Sequence, residues 1–263
     1  MSEELQILVE EDEITEDRID KYVDVSHLKE LKITSQVFLR VNSFNISDEP
    51  DFSELTEDQF YSFFEKNTNE VITKKLNDLN IVEDFRSSMS QLYTHNKNKN
   101  RIFVFFLPTS DMKAGVGIDV VKNFCKLVVL LGCNEGLMIS EKPLTSKSRE
   151  LLESSNVKGF CSDDVYNVIS YTDDTFVNVV DHCLSPEVLH IYSAEEWEKF
   201  SEENHISSKE LPKMLNTDPI AKFFRARVGD VVKMKRKTGT QNTLVNHQIV
   251  YRAVGYNTVK ERK

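Results

Sequence analysis

The apolar positions follow one rhythm through the first hundred residues and another after that. From Leu28 to about Asn45, Val37, Phe38, Val41 and Phe44 recur at near-helical spacing, and Ser47-Asp48-Glu49-Pro50 break the pattern. Thr56 is an N-cap candidate for a second helix that carries Phe60, Phe63 and Phe64 on one face. The spacing of Val71, Ile72, Leu76, Leu79, Phe85, Met89 and Leu92 predicts further helix over 69–93, and the polar run at 94–100 reads as a loop.

The character then changes. Residues 102–108, IFVFFLP, form a short continuous apolar run ending in Pro108, as for a buried strand. Val116, Val120, Val121 and Phe124 predict a helix over 116–126. LVVLLG at 127–132 reads as a second buried strand closed by Gly132, and GLMIS at 136–140 as a third. TSKSRELLES at 145–154 reads as a capped helix, followed by strand-like VYNVISY at 165–171 and a short piece near Phe176–Val180. Alternating strands and helices imply an α/β layer architecture over about 30–175.

The last section has its own grammar. Ser193 with Glu196 forms a capping box. ISSKELPKML and DPIAKFF each start a short helix, with Pro212 and Pro219 near first-turn positions and Asp218 as a natural cap. VVKMKRK after Gly229 and HQIVYRAVGY read as strands joined by TGTQNTLVN, which makes a small α+β module.

Composition adds two constraints. No apolar run approaches the ~18 residues that cross a bilayer. The opening MSEELQILVEEDE is acidic where a secretory leader is basic and then apolar, so an intracellular protein with no membrane partner is expected. Cys125, Cys133, Cys161 and Cys183 form no CxxC and no zinc-type cluster, and read as buried reduced thiols.

Charge is distributed unevenly. Residues 1–30 carry −8, an acidic extension without enough apolar anchors to be more than mobile or partly helical. Residues 209–263 carry +9 within a chain of net −10, so the two ends present different surfaces to partners.

Catalytic chemistry is nearly absent from the sequence. There is no GxGxxG, Walker loop, GxSxG or HExxH. None of the six histidines has an identifiable catalytic partner. Asp163-Asp164 and Asp173-Asp174 lack a third carboxylate at useful spacing for a hard cation, so no metal and no cofactor is expected. Two basic groups remain. Lys233, Lys235 and Lys237 share one face of a strand, beside Arg236. That face could meet phosphates or an acidic protein, or could guard an edge strand against aggregation. Lys142, Lys147 and Arg149 surround Pro143, Thr145 and Ser146 at a strand-to-helix turn. A helix start there could contact phosphate, or Thr145 or Ser146 could simply cap it.

The carboxy-terminal third carries a specific resemblance. In order it holds His182, Leu184 and Pro186, then Leu211-Pro212, Asp218-Pro219-Ile220-Ala221-Lys222-Phe223, Gly229-Asp230-Val231-Val232-Lys233 and Tyr251-Arg252. This series resembles the assembly domain of the fifth subunit common to RNA polymerases I, II and III, a domain that also has an archaeal polymerase counterpart. The chain departs from the family in four ways. Arg225 stands where a Gly is usual, and Val228 replaces a basic residue. The last turn is longer, and the chain continues past the usual end. The order FLRVNSFNI, SELTEDQFYSFF, strand, helix, strand is more loosely similar to the family's jaw domain, a restriction-endonuclease-like layer without an active site. No PD…(D/E)xK cluster is found.

The resemblance implies an α/β jaw over 31–180 and an α+β assembly domain over 181–263, preceded by the acidic extension over 1–30, for which the family offers no counterpart. It implies a nuclear, non-catalytic subunit of DNA-directed RNA polymerase. Its expected partners are the largest subunit and other core subunits, downstream duplex DNA, and general transcription factors. The residues expected on the largest subunit are Asp218, Pro219, Ile220, Ala221, Lys222, Phe223, Gly229, Val231, Val232 and Lys233. The residues expected on the DNA backbone are Lys142, Pro143, Thr145, Ser146 and Lys147. The competing readings are a paralogue or viral homologue serving a single polymerase, and a metal-dependent nuclease of the same fold.

Overall fold

The computed structural model describes residues 24–67, 69–111, 115–154, 167–207, 210–238 and 246–256. Two four-stranded sheets organise them, with strand orders β1-β2-β3-β4 and β5-β7-β8-β6.

The first sheet is built from β1 (Gln91–Thr94), β2 (Arg101–Phe106), β3 (Glu135–Ser140) and β4 (Asn167–Thr172). β1 runs antiparallel to β2, and β2, β3 and β4 are mutually parallel. Period-two alternation in β2 sends Ile102, Val104 and Phe106 to one face and Phe103 and Phe105 to the other. The first face packs on α1 (Val25–Val41) and α2 (Glu57–Lys66). The second packs on α3 (Glu70–Asp78) and α5 (Ile118–Leu130). A sheet covered on both faces explains why its strands read as unbroken apolar runs.

Local chemistry places the helix ends. The Asp24 side chain accepts from the His27 amide and starts α1, so the expected boundary of the acidic extension at residue 30 falls inside this helix. Residues 1–23 of that extension lie outside the described residues. Thr56 and Gln59 form a capping box at the start of α2.

The structure corrects several sequence readings. LVVLLG is not a strand: α5 continues through Leu130 and ends at Gly132, whose φ of 65° only glycine adopts freely. Leu127 and Val128 extend the buried face of Val121 and Phe124, and an apolar run of this length fits a buried helix as well as a strand. The helix expected over 69–93 breaks at Asn80, which takes a left-handed φ of 55° while the Ile81 amide donates to the Leu76 carbonyl. Past the break come a single turn, α4 (Phe85–Ser88), and then β1. Residues 176–180 are turns and irregular chain rather than a strand.

The second sheet begins at β5 (Glu187–Tyr192), and α7 (Ala194–Asn204) follows from the Ser193–Glu196 capping box. LPKML does not start a helix. Lys213–Leu215 is β6, parallel to β8, and the Pro212 carbonyl accepts from the Ala253 amide. The short helix α8 (Pro219–Phe223) leads to β7 (Val231–Thr238) and β8 (Asn246–Gly255). The molecule is thus mixed α/β, and among the described residues no helix is long and apolar enough to cross a membrane.

Candidate functional site

The two groups of residues singled out from the sequence occupy different places. The first lies at the carboxyl ends of the parallel strands, where open α/β sheets commonly bind ligands. After β3 the chain turns, and Ser140 Oγ sits 2.9 Å from the Lys142 carbonyl oxygen. The Val116 amide donates to the Pro143 carbonyl and the Thr145 amide donates to the Val116 carbonyl, both at 3.1 Å, so the turn is stitched to the segment entering α5. A side chain at Gly115 would stand 3.1 Å from the Pro143 oxygen, which explains glycine at this crossing.

Helix α6 (Ser146–Ser154) starts from this turn. Thr145 Oγ1 accepts from the Ser148 amide at 3.4 Å, and buried Ser148 Oγ donates to the Val116 carbonyl at 2.9 Å. Thr145 is therefore the cap of α6. Pro143, Thr145, Ser146 and Lys147 are exposed and Lys142 is half-buried. The first turn of α6 contains no acidic residue and carries Lys147 and Arg149. Helix starts normally favour carboxylates, because free amides and the dipole make them positive. A cationic first turn adds to that field and suits an external anion.

The second group is divided by the fold. Ala221, Phe223, Val231 and Val232 are buried. Pro219 and Gly229 are exposed, and Asp218, Ile220, Lys222 and Lys233 are half-buried. Asp218 caps α8 by accepting from the Ile220 amide at 2.9 Å, with Pro219 at the first helical position. Gly229 has a φ of 100°, a value suited to glycine, and its amide donates to the Val254 carbonyl.

The buried side of α8 meets the first sheet. Phe223 packs edge-on against Phe38 with ring centroids 5.4 Å apart, and lies 6.2 Å from Phe176. Asn42 Nδ2 donates to the Phe223 carbonyl at 3.0 Å. Lys222 Nζ donates to the Ser170 carbonyl of edge strand β4 at 2.5 Å and sits 3.9 Å over the Tyr171 ring. Burial, with a smaller contribution from nearby Arg149, pushes the Lys222 pKa down to about 8. Lys222 and Phe223, expected to face another subunit, thus form a seam within this chain.

Sequence reasoning missed the polar part of this seam and two further buried networks. Arg225 reaches Glu135 at 2.7 Å. Its φ of 57° preserves the left-handed backbone of the glycine that the family resemblance implies there. Lys32 is fully buried and meets Glu49 at 2.9 Å and Tyr93 Oη at 2.8 Å, among the rings of Phe52, Phe64 and Phe106. Arg86 grips Asp173 with both terminal nitrogens. Only the left-handed site carried a signal in the sequence, as Arg in place of the usual Gly.

Asp173 is committed to Arg86, and among the described residues no group of three His, Cys, Asp or Glu could hold a metal. Asp163, Asp164 and Cys161 lie outside those residues. Cys125 and Cys133 are buried thiols outside any disulfide, and burial raises the Cys133 pKa to about 11. Cys183 is exposed, contrary to expectation, because it sits in the turn before β5.

Comparison with known proteins agrees with the carboxy-terminal geometry. Residues 177–254 match the family described as RNA polymerase Rpb5, C-terminal domain. The chain is 25% identical over 167 residues to the DNA-directed RNA polymerases I, II, and III subunit RPABC1 of Caenorhabditis elegans, covering 63% of this chain and 74% of that protein. It is 36% identical over 73 residues to the DNA-directed RNA polymerase subunit Rpo5 of Methanosphaera stadtmanae, covering 28% of this chain and 94% of that protein. A second archaeal Rpo5, from Methanothrix thermoacetophila, is 36% identical over 72 residues. The ordered motifs, the sheet they build and these relatives together place the chain in the Rpb5 family of DNA-directed RNA polymerase subunits, as a divergent member.

Proposed function

We propose that this chain is a non-catalytic subunit of a nuclear DNA-directed RNA polymerase. Residues 181–263 act as an assembly domain that docks on the largest subunit and contacts other core subunits. Residues 31–180 act as a lower jaw beside downstream duplex DNA, a restriction-endonuclease-like layer without an active site. General transcription factors are a further class of contact for the jaw. The docking surface comprises the accessible parts of Asp218–Phe223 and Gly229–Lys233. The buried members, Ala221, Phe223, Val231 and Val232, shape that surface from beneath.

The observation that carries the DNA contact is the cationic, acid-free start of α6 at the carboxyl edge of the parallel sheet. Lys142 and Lys147 supply charge, and Thr145, Ser146 and the turn at Pro143 bring the backbone close. Such contacts hold phosphates and do not read base edges. Changing Lys142 and Lys147 to Glu in the assembled polymerase is expected to weaken retention of downstream DNA, with a shallower salt dependence. Unchanged retention across a salt series would exclude the contact. The departures at Arg225 and in the last turn favour a second reading, a paralogue or viral homologue dedicated to one polymerase. Affinity purification separates the two by recovering the largest subunits of three polymerases or of one.

A further inference from the structure

The lysines of β7 do not guard a sheet edge along its first half. β7 lies between β5 and β8, so Lys233 and Lys235 are on an interior strand. Beyond that point the sheet narrows. The last rung shared with β5 is Glu187–Lys235, and β6 touches β8 only at Ala253–Gly255. The rungs Arg236–Gln248, Lys237–His247 and Thr238–Asn246 therefore extend as a two-stranded ribbon.

Charge lies on both faces of this ribbon. Lys235 shares one face with His247 and Ile249, and Arg236 and Gln248 share the other. Arg236, His247, Gln248 and Ile249 are exposed and Lys235 is half-buried. No Asp or Glu occurs from 231 to 260 in the sequence. Among the described residues the one carboxylate paired to this stripe is Glu187, 3.6 Å from Lys235 at the ribbon's base. A protein-docking face would concentrate apolar and aromatic anchors on one side and exclude lysine. A ribbon positive on both faces instead matches a groove with phosphates on both walls. Two strands about 4.8 Å apart fit the B-form major groove of about 12 Å, which admits a β-ribbon. The deep, narrow major groove of A-form RNA does not.

We propose that the β7–β8 ribbon is a second nucleic-acid contact of this chain, in which Lys235 and Arg236 engage the phosphates of duplex DNA. It is independent of the turn at Lys142. The test measures binding of the full chain to random-sequence DNA and RNA duplexes by fluorescence anisotropy across a salt series. Charge reversal at Lys235 and Arg236 is expected to weaken DNA binding by at least about tenfold at low salt. It should also make log K against log salt shallower by roughly one for each phosphate no longer engaged. Charge-preserving exchanges (Lys235→Arg, Arg236→Lys) should bind as the parent does. Because glutamates also protect a strand edge, loss of binding with matched thermal melting separates a phosphate contact from edge protection. Unchanged DNA binding in the reversed variant overturns the proposal. So does RNA bound as tightly as DNA, or loss of the largest subunit on co-purification with DNA binding intact. The Lys142→Glu, Lys147→Glu variant serves as a separate arm, and it should leave the ribbon's contribution in place.

Discussion

Arg225 and Glu135 are joined by a 2.7 Å ion pair that ties the segment after α8 to the first residue of β3. Both side chains are largely shielded, at 16% and 14% exposure. Arg225 makes the contact from a left-handed backbone and also lies 5.9 Å from the Phe44 ring. With Lys222 on Ser170 and Phe223 against Phe38, it makes the seam continuous from polar to apolar.

Truncating this pair from one side is expected to cost several kcal/mol, since a shielded charge left alone costs about 3–5 kcal/mol. Arg225→Gly should be milder than Arg225→Ala by about 1 kcal/mol, because glycine relieves the left-handed backbone. Urea unfolding of the two variants measures the difference. Equal loss would show that the backbone cost is absent.

Lys222 makes stability depend on pH. Its folded pKa of about 8 lies below the ordinary 10.5. Between those values the unfolded chain binds more protons than the folded one, so stability rises with pH across that window. Below about 8 both states carry the proton and the slope vanishes. Lys222→Met should flatten this rise, read from thermal unfolding between about pH 8 and 10.5.

Lys32 is a charge inside the apolar layer under α1. Burial lowers its pKa, and Glu49 opposes that shift by Coulomb attraction and a hydrogen bond. Lys32→Ala leaves the shielded Glu49 carboxylate its hydrogen bonds from Tyr93 and Gln36 but removes its countercharge, and is expected to cost about 3–5 kcal/mol. Lys32→Met combined with Glu49→Gln should recover most of that loss, read from denaturant midpoints.

Gly136 marks the tightest packing of β3 on α5. A Cβ there would fall 2.8 Å from Phe124 Cζ and Val128 Cγ2. Gly136→Ala is expected to destabilise by about 1–3 kcal/mol through overpacking. Combining it with Val128→Ala, which makes room, should lower that cost in the same unfolding assay.

The readings that held were those made by neighbours in sequence. The Ser193–Glu196 box, the Thr56 cap, Asp218 before Pro219 and β2 all formed where their local chemistry indicated. The readings that failed needed distant partners. β1 is four residues long, too short for its alternation to show, and it exists because β2 pairs with it. The LVVLLG run became helix because its length and hydrophobicity fit either state, and packing against Phe103, Phe105 and Met138 decided the outcome.

By itself the sequence determined the family, the caps, the turn glycines and the basic character of the last strands, since each rests on residue types at fixed short spacing. Only the tertiary structure decided which part of the Asp218–Phe223 motif stays accessible, that Arg225 finds Glu135 ninety residues upstream, and that the β7 lysines lie on an interior strand before emerging as a ribbon. Burial, long-range pairing and strand order are properties of the folded chain as a whole. No local pattern contains them.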